Sequence, residues 1–379
     1  MKKVILLALI IIIIVLTAAG GCGKKKQIQE KNRFTTEAAA EVESDVEKET
    51  IVGFLYIGPI GENGWSFSHN EGRSYLEHTL KIKTLYKECV PATEEAKEIV
   101  KAMIEQGATV IFATSTSYTK VIKELAAEYP DIIFMNCGGT SIGKNLGTYF
   151  GKIEEARFLS GVVAGLKTKS NKIGYIAPYS IGEIVKGINA FTLGVKAVNP
   201  SAKVYVNWSH VWYDKVKEKS AAMVLINQGV DVITQHQDTN AVIKAAAEKE
   251  VWSIGYNSNI NSIPLKTYLA GTNWNWGKYY VKVVSDISDG KWTSNDYNGK
   301  ISDGIVSLNC FTTNTPAEIV SKVKEYETLI KNGSYKIFQG PIKNQNGKII
   351  VEAGKEIDGK VLNNFNWFVE GVEGKIEIK

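Results

Sequence analysis

Four side chains in this sequence are of the types that perform hydrolytic or metal chemistry. Ser66 and His69 are three residues apart, and His236 and Asp238 are two apart. A serine, a histidine and a carboxylate can form a nucleophilic triad, and histidines with a carboxylate can hold a metal ion. The chain nevertheless has no His-Glu-x-x-His pair and no phosphate loop ending in Lys-Ser/Thr. We therefore expect no enzyme, no cofactor and no metal, with the histidines at the surface or at helix caps.

An internal repeat shows which elements would position these side chains. Ile51-Val52-Gly53-Phe54-Leu55-Tyr56 recurs about 120 residues later as Lys172-Ile173-Gly174-Tyr175-Ile176-Ala177, and residues 121–128 recur in the same way at 242–248. Each unit alternates β-branched runs with amphipathic helical stretches, which is typical of a parallel sheet because parallel strands need a crossover helix. The sequence therefore predicts an α/β fold of two doubly wound lobes facing a common cleft, with strand-end loops lining a ligand site.

The predicted elements divide between the lobes. Strands of the first lobe are expected at 51–57, 82–87, 109–113 and 131–136, with one more ending at Phe150; those of the second are expected near 172–177, 203–207, 230–234 and 251–256. A helix at 154–167 leads from one lobe to the other. The first lobe is assigned residues 51–155 plus about 260–300, and the second residues 156–259 plus about 301–379. A hairpin is predicted at Asn346-Gly347, and the tail is expected to brace both lobes.

The first residues have the pattern of an export signal. Lys2 and Lys3 precede an apolar run from Val4 to Leu16, which is too short for a usual membrane span of roughly 20 residues. Ala19-Gly20-Gly21-Cys22 resembles a bacterial lipobox, in which the cysteine is lipidated. We expect a signal peptide at 1–21, lipid on Cys22 and a flexible tether at 22–50; an uncleaved signal anchor is the alternative.

Charge and cysteine content exclude other classes. Removal of residues 1–21 deletes two lysines and no acid, which lowers the net charge from +5 to +3. A charge so small and dispersed argues against nucleic acid as a partner. Cys89, Cys137 and Cys310 lack metal-site spacing, so we expect buried small hydrophobes, with one disulfide as the alternative.

Several segments, in order, resemble the basic membrane protein (BMP) family. They are Gly58 to Trp65, Tyr149 to Arg157, Gly187 to Phe191, Gln235 to Thr239, Ile254 to Ser258 and Trp274 to Gly277. The resemblance covers roughly residues 50–375. It implies a type I periplasmic-binding-protein fold and a lipid-anchored, extracytoplasmic protein that delivers a purine base or nucleoside to an ABC permease and its ATPase subunits. The alternatives are a ligand-sensing or surface-interaction lipoprotein with this fold, and a binder of another polar solute such as a sugar.

This resemblance makes aromatic residues at strand ends candidates for the ligand site. A purine is a flat π-system with a hydrogen-bonding rim, so it suits stacking rings and amides or carboxylates. Trp65 and Trp212 are predicted to form a sandwich, one ring from each lobe, and Trp276 and Phe150 are predicted to line the cleft. The alternative for each tryptophan is an anchor packed between helix and loop.

Polar candidates lie at the same strand ends. Asp238 could accept hydrogen bonds from a base or a ribose, although an N-cap for its own helix explains it equally well. Asn257 can donate and accept at once. The resembling family often has Asp at this position, which favours a base over a nucleoside here. Ser66, Ser115 and Gln235 complete the predicted site.

Overall fold

Two parallel sheets organise the part of the chain that the structure describes. The structure is a computed structural model and describes residues 50–61, 63–257 and 266–377, so the predicted signal, Cys22 and most of the tether lie outside the described residues. None of the helices within these ranges is long and apolar enough to cross a membrane.

The first lobe is a six-stranded sheet in the order β11-β5-β4-β3-β1-β2, in which every pairing is parallel. Its strands are β1 (Ile51–Leu55), β2 (Lys83–Lys87), β3 (Ala108–Ala113), β4 (Ile133–Cys137), β5 (Leu146–Gly151) and β11 (Asp296–Gly299). Its helices are α1 (Trp65–Leu80), α2 (Glu94–Glu105), α3 (Thr119–Glu128) and α8 (Trp276–Ser288), with a short 3-10 turn at Thr116–Tyr118.

The second lobe is a seven-stranded sheet in the order β12-β10-β9-β8-β6-β7-β15, in which β12 alone pairs antiparallel. Its strands are β6 (Lys172–Ala177), β7 (Lys203–Trp208), β8 (Val232–Gln235), β9 (Trp252–Gly255), β10 (Tyr268–Trp274), β12 (Val306–Asn309) and β15 (Val372–Glu373). Its helices are α4 (Ile153–Lys167), α5 (Gly182–Val198), α6 (Lys215–Asn227), α7 (Ala241–Glu248), α9 (Ala317–Lys331) and α10 (Gly359–Asn363).

The internal repeat is visible in the strand order. The core order β2-β1-β3-β4 of the first sheet recurs as β7-β6-β8-β9 in the second. Two lobes of doubly wound parallel sheet are therefore confirmed. The β-branched runs that suggested strands are buried along most of their length, as expected where helices cover both faces of a parallel sheet.

In the part of the chain that the structure describes, the backbone passes between the lobes at three places. These crossings lie between β5 and α4, between β10 and α8, and between β11 and β12. Because β10 pairs with β9, the second lobe extends to Trp274. The chain returns to the first lobe at Trp276, where α8 begins. The boundary that the sequence suggested near residue 260 therefore moves to about 275.

Beyond the repeat, α8 and β11 lie in the first lobe, whereas the tail that follows β12 packs on the second lobe. Strand β15 pairs with β7, and the Asn189 amide of α5 donates to the Trp367 carbonyl at 2.9 Å. The predicted hairpin at Asn346-Gly347 is present, with β13 (Ile342–Lys343) antiparallel to β14 (Ile349–Val351). The remaining described tail contacts, such as Trp208 Nε1 donating to the Lys375 carbonyl at 2.8 Å, also fall on this lobe.

Helices α4 and α5 cross at unusually close range. A Cβ placed on Gly161 would stand 2.9 Å from the Phe191 carbonyl carbon and closer still to its oxygen. Gly194 of α5 meets the Phe158 carbonyl of α4 in the same way. Each glycine thus admits the backbone of the other helix, which explains the run of small residues in α4.

Candidate functional site

The carboxyl ends of the two sheets meet at Gly64 and Asp238. Gly64 precedes α1 in the first lobe, and Asp238 follows β8 in the second. A Cβ on Gly64 would stand 2.9 Å from Asp238 Cβ and nearer to its carbonyl oxygen, so only glycine permits this approach. The structure is therefore a closed arrangement of the lobes, with the strand-end loops in contact.

Asp238 links the lobes through one carboxylate oxygen. Its Oδ1 accepts from the Trp65 backbone N–H at 3.2 Å and from Asn257 Nδ2 at 2.7 Å. Because Trp65 is the first residue of α1, Asp238 caps a helix of the opposite lobe. Its own helix α7 is served instead by Thr239, whose hydroxyl accepts from Ala241 N at 3.0 Å. Burial raises the pKa of Asp238 to about 7, opposed by the hydrogen bonds from Asn257 and Trp65.

Asn257 extends this link to an indole. It is fully buried after β9 and has a left-handed backbone conformation with φ 75°, which asparagine tolerates better than most residues. Its Oδ1 accepts from Trp274 Nε1 at 3.3 Å while its Nδ2 donates to Asp238. The amide thus donates and accepts at once, and it joins the carboxylate to the aromatic residues of the lobe junction.

Trp65 lies among aromatic rings from both lobes. Its ring centroid is 5.5 Å from Trp274, 5.7 Å from Trp276 and 6.1 Å from Phe150. Its Nε1 donates to the Thr114 carbonyl at 2.7 Å, at the end of β3. Trp276 is 1% exposed and stacks on Trp274 at 4.7 Å and on His69 at 4.6 Å. The structure therefore brings Trp65, Phe150 and Trp276 together, and adds Trp274.

Trp212 occupies a different environment. The residue is 40% exposed, and its ring centroid lies 6.0 Å from that of Tyr179 in the second lobe. Its main-chain carbonyl accepts from Asp238 N at 2.9 Å, so the backbone of this loop supports the site. The ring is thus presented to solvent near the cleft, unlike the half-buried ring of Trp65.

The three weaker candidates are held by local hydrogen bonds. Ser66 Oγ accepts from Gly58 N at 3.1 Å, and Ser115 Oγ accepts from Ser117 N at 3.2 Å. Gln235 is 2% exposed and donates to the carbonyls of Gln237 and Thr239, while its Oε1 has no hydrogen-bond partner within the described ranges. Gln235 ends β8 and Ser115 follows β3, whereas Ser66 lies in the first turn of α1, and Gln235 retains a vacant acceptor.

A groove of about 350 Å³ opens beside the aromatic residues. It runs between α1 and the crossing from β10 to α8. Its lining comprises aromatic, amide and charged side chains, among them Tyr75, Glu71, Asn273, Trp274, Trp276 and Asn309. This volume lies at the lower end of what ligand pockets of small molecules occupy.

The sequence analysis missed a group of charged side chains near the strand ends of the second lobe. They are Glu154 and Arg157 of α4 with Glu183 and Lys186 of α5, and we name them the interlobe charge cluster. Lys186 Nζ lies 3.4 Å from Glu154 Oε2, and both residues are buried. Arg157 is fully buried, with its guanidinium 4.0 Å above the Tyr256 ring. Charged side chains within the apolar pattern of α4 were the signal that could have revealed this cluster.

The candidate residues of a hydrolase do not form one catalytic group. His69 and His236 are buried, so the expectation of surface histidines was wrong for these two, whereas His78 and His210 are exposed. Burial lowers the pKa of His69 and of His236. His69 Nδ1 pairs with Tyr280 OH, and His236 Nδ1 lies 3.0 Å from Tyr175 OH. Ser66, bonded to Gly58 N, belongs to neither pair. Within the described ranges, no group of three potential ligands could hold a metal ion.

Two further details concern a serine motif and the cysteines. Residues Gly139-Thr140-Ser141-Ile142-Gly143 match the letters of a nucleophile elbow but connect β4 to β5, whereas an elbow turns from a strand into a helix. Cys137 is buried as predicted, but Cys89 is exposed, so the expectation of buried cysteines was wrong there. Neither segment changes the site.

Comparison with known proteins identifies the class. A model of the ABC transporter substrate-binding protein PnrA-like family matches residues 49–346. A purine-binding protein of Brucella abortus is 35% identical over 87% of this chain and 95% of its own. A putative ABC transporter glucose-binding protein of Haloferax volcanii is 32% identical over 87% of this chain and 82% of its own.

Solved structures agree with the fold. An ABC transporter solute-binding protein from Conexibacter woesei superimposes with a TM-score of 0.67 at 16% identity, over 76% of this chain and 98% of its own. Such substrate-binding proteins work with an ABC permease on the extracytoplasmic side. The chain belongs to the PnrA-like family of ABC transporter substrate-binding proteins.

Proposed function

We propose that this protein captures a purine base or nucleoside between its lobes and delivers it to an ABC import permease. The observation that carries the proposal is the placement of the Trp65 ring beside the Asp238–Asn257 pair, at the point where the lobes close. An indole face suits a flat base, and an adjoining carboxylate and amide suit its hydrogen-bonding rim. The name of the Brucella abortus relative supports the same ligand class.

The proposed ligand site comprises residues from both lobes. Trp65 and Trp212 would stack on the ligand, Phe150 and Trp276 would close the aromatic wall, and Asp238 and Asn257 would bond the rim, with Ser66, Ser115 and Gln235 at the periphery. Because Asp238 Oδ1 and Asn257 bond one another in the closed structure, a ligand must share or replace those bonds. Ligand binding is therefore coupled to the position of the lobes, and no chemical conversion is required.

Mass spectrometry of the small molecule that copurifies with residues 50–379 tests this function. We expect a purine, and calorimetric titration with adenine, guanine, hypoxanthine, their nucleosides and glucose should show a purine binding without turnover. Glucose is included because the Haloferax volcanii relative is named for it. Tight glucose binding with no purine binding would replace this proposal by the sugar alternative.

We propose further that Cys22 anchors the protein through lipid. The support is the Ala-Gly-Gly-Cys end of the predicted signal, since several acyl chains hold a protein durably where one holds it only marginally. Cys22→Ser should abolish palmitate labelling and release the protein or leave an unprocessed precursor. Unchanged labelling and membrane retention in Cys22→Ser would refute the anchor, with Cys89→Ser as the matched control at an exposed cysteine.

A further inference from the structure

Arg157 is a buried cation whose donors are unused. Its side chain is 0% exposed, and its Nε, Nη1 and Nη2 have no hydrogen-bond partner among the residues that the structure describes. Arginine keeps its charge at any physiological pH, so it cannot relieve this burial by losing a proton. A buried charge without partners is costly. Its burial therefore calls for a hydrogen-bond acceptor that the described residues do not provide.

Aromatic faces hold the guanidinium in place. It lies 4.0 Å above the Tyr256 ring and 5.4 Å from the Tyr175 ring, and the Tyr175 hydroxyl is in turn 3.0 Å from His236 Nδ1. A guanidinium stacked on a ring directs its N–H groups outward in its own plane. The donors of Arg157 are thus pre-oriented, and a planar acceptor edge would meet two of them at once.

The interlobe charge cluster faces the site described above. Tyr256 directly precedes Asn257, which bonds Asp238. Glu183 lies in the first turn of α5, one turn before Lys186, and Lys186 Nζ is 3.4 Å from Glu154, which lies one turn before Arg157 on α4. Arg157 therefore offers N–H donors, and the partly buried Glu183 offers a carboxylate acceptor, to the same interlobe space.

This pairing of charges matches one kind of purine edge. A 6-oxopurine presents the acceptors O6 and N7, to which arginine binds bidentately, and a protonated N1 that a carboxylate accepts. Adenine instead presents a donor amino group beside N7 and an unprotonated N1. Arg157 would then face a donor, and Glu183 would face a lone pair. The same cluster that suits hypoxanthine or guanine therefore disfavours adenine.

We propose that Arg157 and Glu183 are specificity-determining residues that select 6-oxopurines over adenine, an inference that rests on the proposed function. Arg157 binds the O6 and N7 edge, and Glu183 accepts the N1 hydrogen. The base and its nucleoside share this edge, so the selection applies to both.

Calorimetric titration of the wild-type domain with hypoxanthine, adenine, inosine and adenosine is the first test. Hypoxanthine and adenine differ only at C6 and N1, and we expect hypoxanthine to bind at least about tenfold more tightly. Inosine and adenosine repeat the comparison and show whether the free base or the nucleoside is preferred. Equal or tighter binding of adenine would overturn the selectivity and leave the purine function intact, whereas binding of none of the four would overturn both.

Two variants assign the selectivity to its residues. Arg157→Lys keeps the positive charge but loses the two parallel N–H donors of the guanidinium. Glu183→Gln keeps the shape of the side chain but offers an amide donor to N1. Each variant should reduce the hypoxanthine-to-adenine affinity ratio about tenfold. Arg73→Lys is the matched control, because Arg73 also lies over a ring, Tyr86 at 4.7 Å, but bonds Asn70, Glu77 and Thr84 within the first lobe.

Melting curves separate recognition from packing. If Arg157→Lys does not fold, Glu183→Gln still tests the selectivity, because Glu183 is only partly buried. A folded variant of either residue with an unchanged affinity ratio would show that the cluster is structural and would overturn the proposal.

Discussion

Asp238 shows how one side chain can serve both the fold and the site. Its interlobe bond from Trp65 N and its bond from Asn257 Nδ2 within the second lobe both end on Oδ1, at 3.2 and 2.7 Å. The other oxygen is therefore not needed for these two bonds. An asparagine with its oxygen at the same place would keep them, which makes Asp238→Asn a conservative probe of the charge alone.

The raised pKa of Asp238 predicts that stability falls with pH. Burial raises this pKa to about 7 from the ordinary 3.8, so the folded protein holds the proton more tightly than the unfolded chain. The resulting stabilisation is present near pH 4 and is lost as the pH rises to about 7. Asp238→Asn should flatten this profile and gain roughly 1 kcal/mol or more of unfolding free energy at pH 8.

Urea unfolding at pH 5, 6, 7 and 8 measures this effect. Glu218 titrates in the same window, because burial raises its pKa to about 7 against hydrogen bonds from Thr239 and Asp214 N. Glu218→Gln is therefore the companion variant. An Asp238→Asn profile as steep as the wild type, with Glu218→Gln flat, would assign the pH dependence to Glu218.

The two predicted stacking residues should behave differently when truncated. Trp65→Ala removes ring contacts and the hydrogen bond to the Thr114 carbonyl. It should lower the free energy of unfolding by about 2 kcal/mol or more and should also weaken ligand binding. Trp212→Ala removes a ring that is 40% exposed, so it should cost about 1 to 3 kcal/mol of binding with little loss of stability. Calorimetry beside melting curves checks both, and unchanged purine affinity in Trp212→Ala would remove that residue from the site.

At the scale of elements, the crossing of α4 and α5 positions the interlobe charge cluster. Glu154 and Arg157 occupy the first turns of α4, and Glu183 and Lys186 occupy those of α5. The two helices approach closely because Gly161 and Gly194 admit each other's backbone. A shift of either helix would separate these charges, so the packing of α4 against α5 determines the distances within the cluster.

Gly161→Ala should therefore destabilise the second lobe. The added methyl would overlap the Phe191 carbonyl, and overpacking of this kind costs about 1 to 3 kcal/mol or more. Gly359→Ala is the control, since a Cβ on that helical glycine meets nothing within 4 Å. Thermal melting of both variants measures the difference, and equal melting temperatures would show that the crossing relaxes without cost.

At the scale of the whole molecule, closure depends on the contact between Gly64 and Asp238. Three crossings join the lobes, and crossings of this kind are where hinge motion is absorbed. A ligand that touches both lobes favours the closed state by its differential affinity. We therefore expect the free protein to populate an open form and the liganded protein to be more compact.

Gly64→Ala should hold the lobes apart. Its methyl would overlap the Asp238 carbonyl across the junction, while the backbone of residue 64 has φ −87°, which alanine adopts without strain. We expect a normal melting temperature, a ligand affinity weakened about tenfold or more, and a larger radius of gyration with ligand by small-angle scattering.

Gly61→Ala lies in the same loop and is the control, because a Cβ there meets nothing within 4 Å. It should compact on ligand addition like the wild type. Full compaction of Gly64→Ala with saturating ligand would refute the closure contact.

The sequence by itself determined the lobes, because their signal is local. Each strand and helix of the repeat is encoded by hydrophobic period and by turn residues within a few positions, and the same pattern occurs twice. The family resemblance follows from short segments of the same kind. Trp65, Asp238 and Asn257 could be proposed from the sequence because each lies on the segment that follows a strand, where open parallel sheets place their ligand contacts.

Only the tertiary structure decided what those residues touch. That Asp238 caps α1 of the other lobe rather than its own α7 depends on a contact across 173 residues of chain. The assignment of β10 to the second sheet likewise depends on pairing with β9, which no local pattern specifies. In the sequence, Arg157 is one charge in an apolar helix. That its donors have no hydrogen-bond partner among the described residues emerges only when α4, α5 and the strand ends enclose it. Burial and long-range pairing are properties of the packed chain, so spacing alone could not supply them.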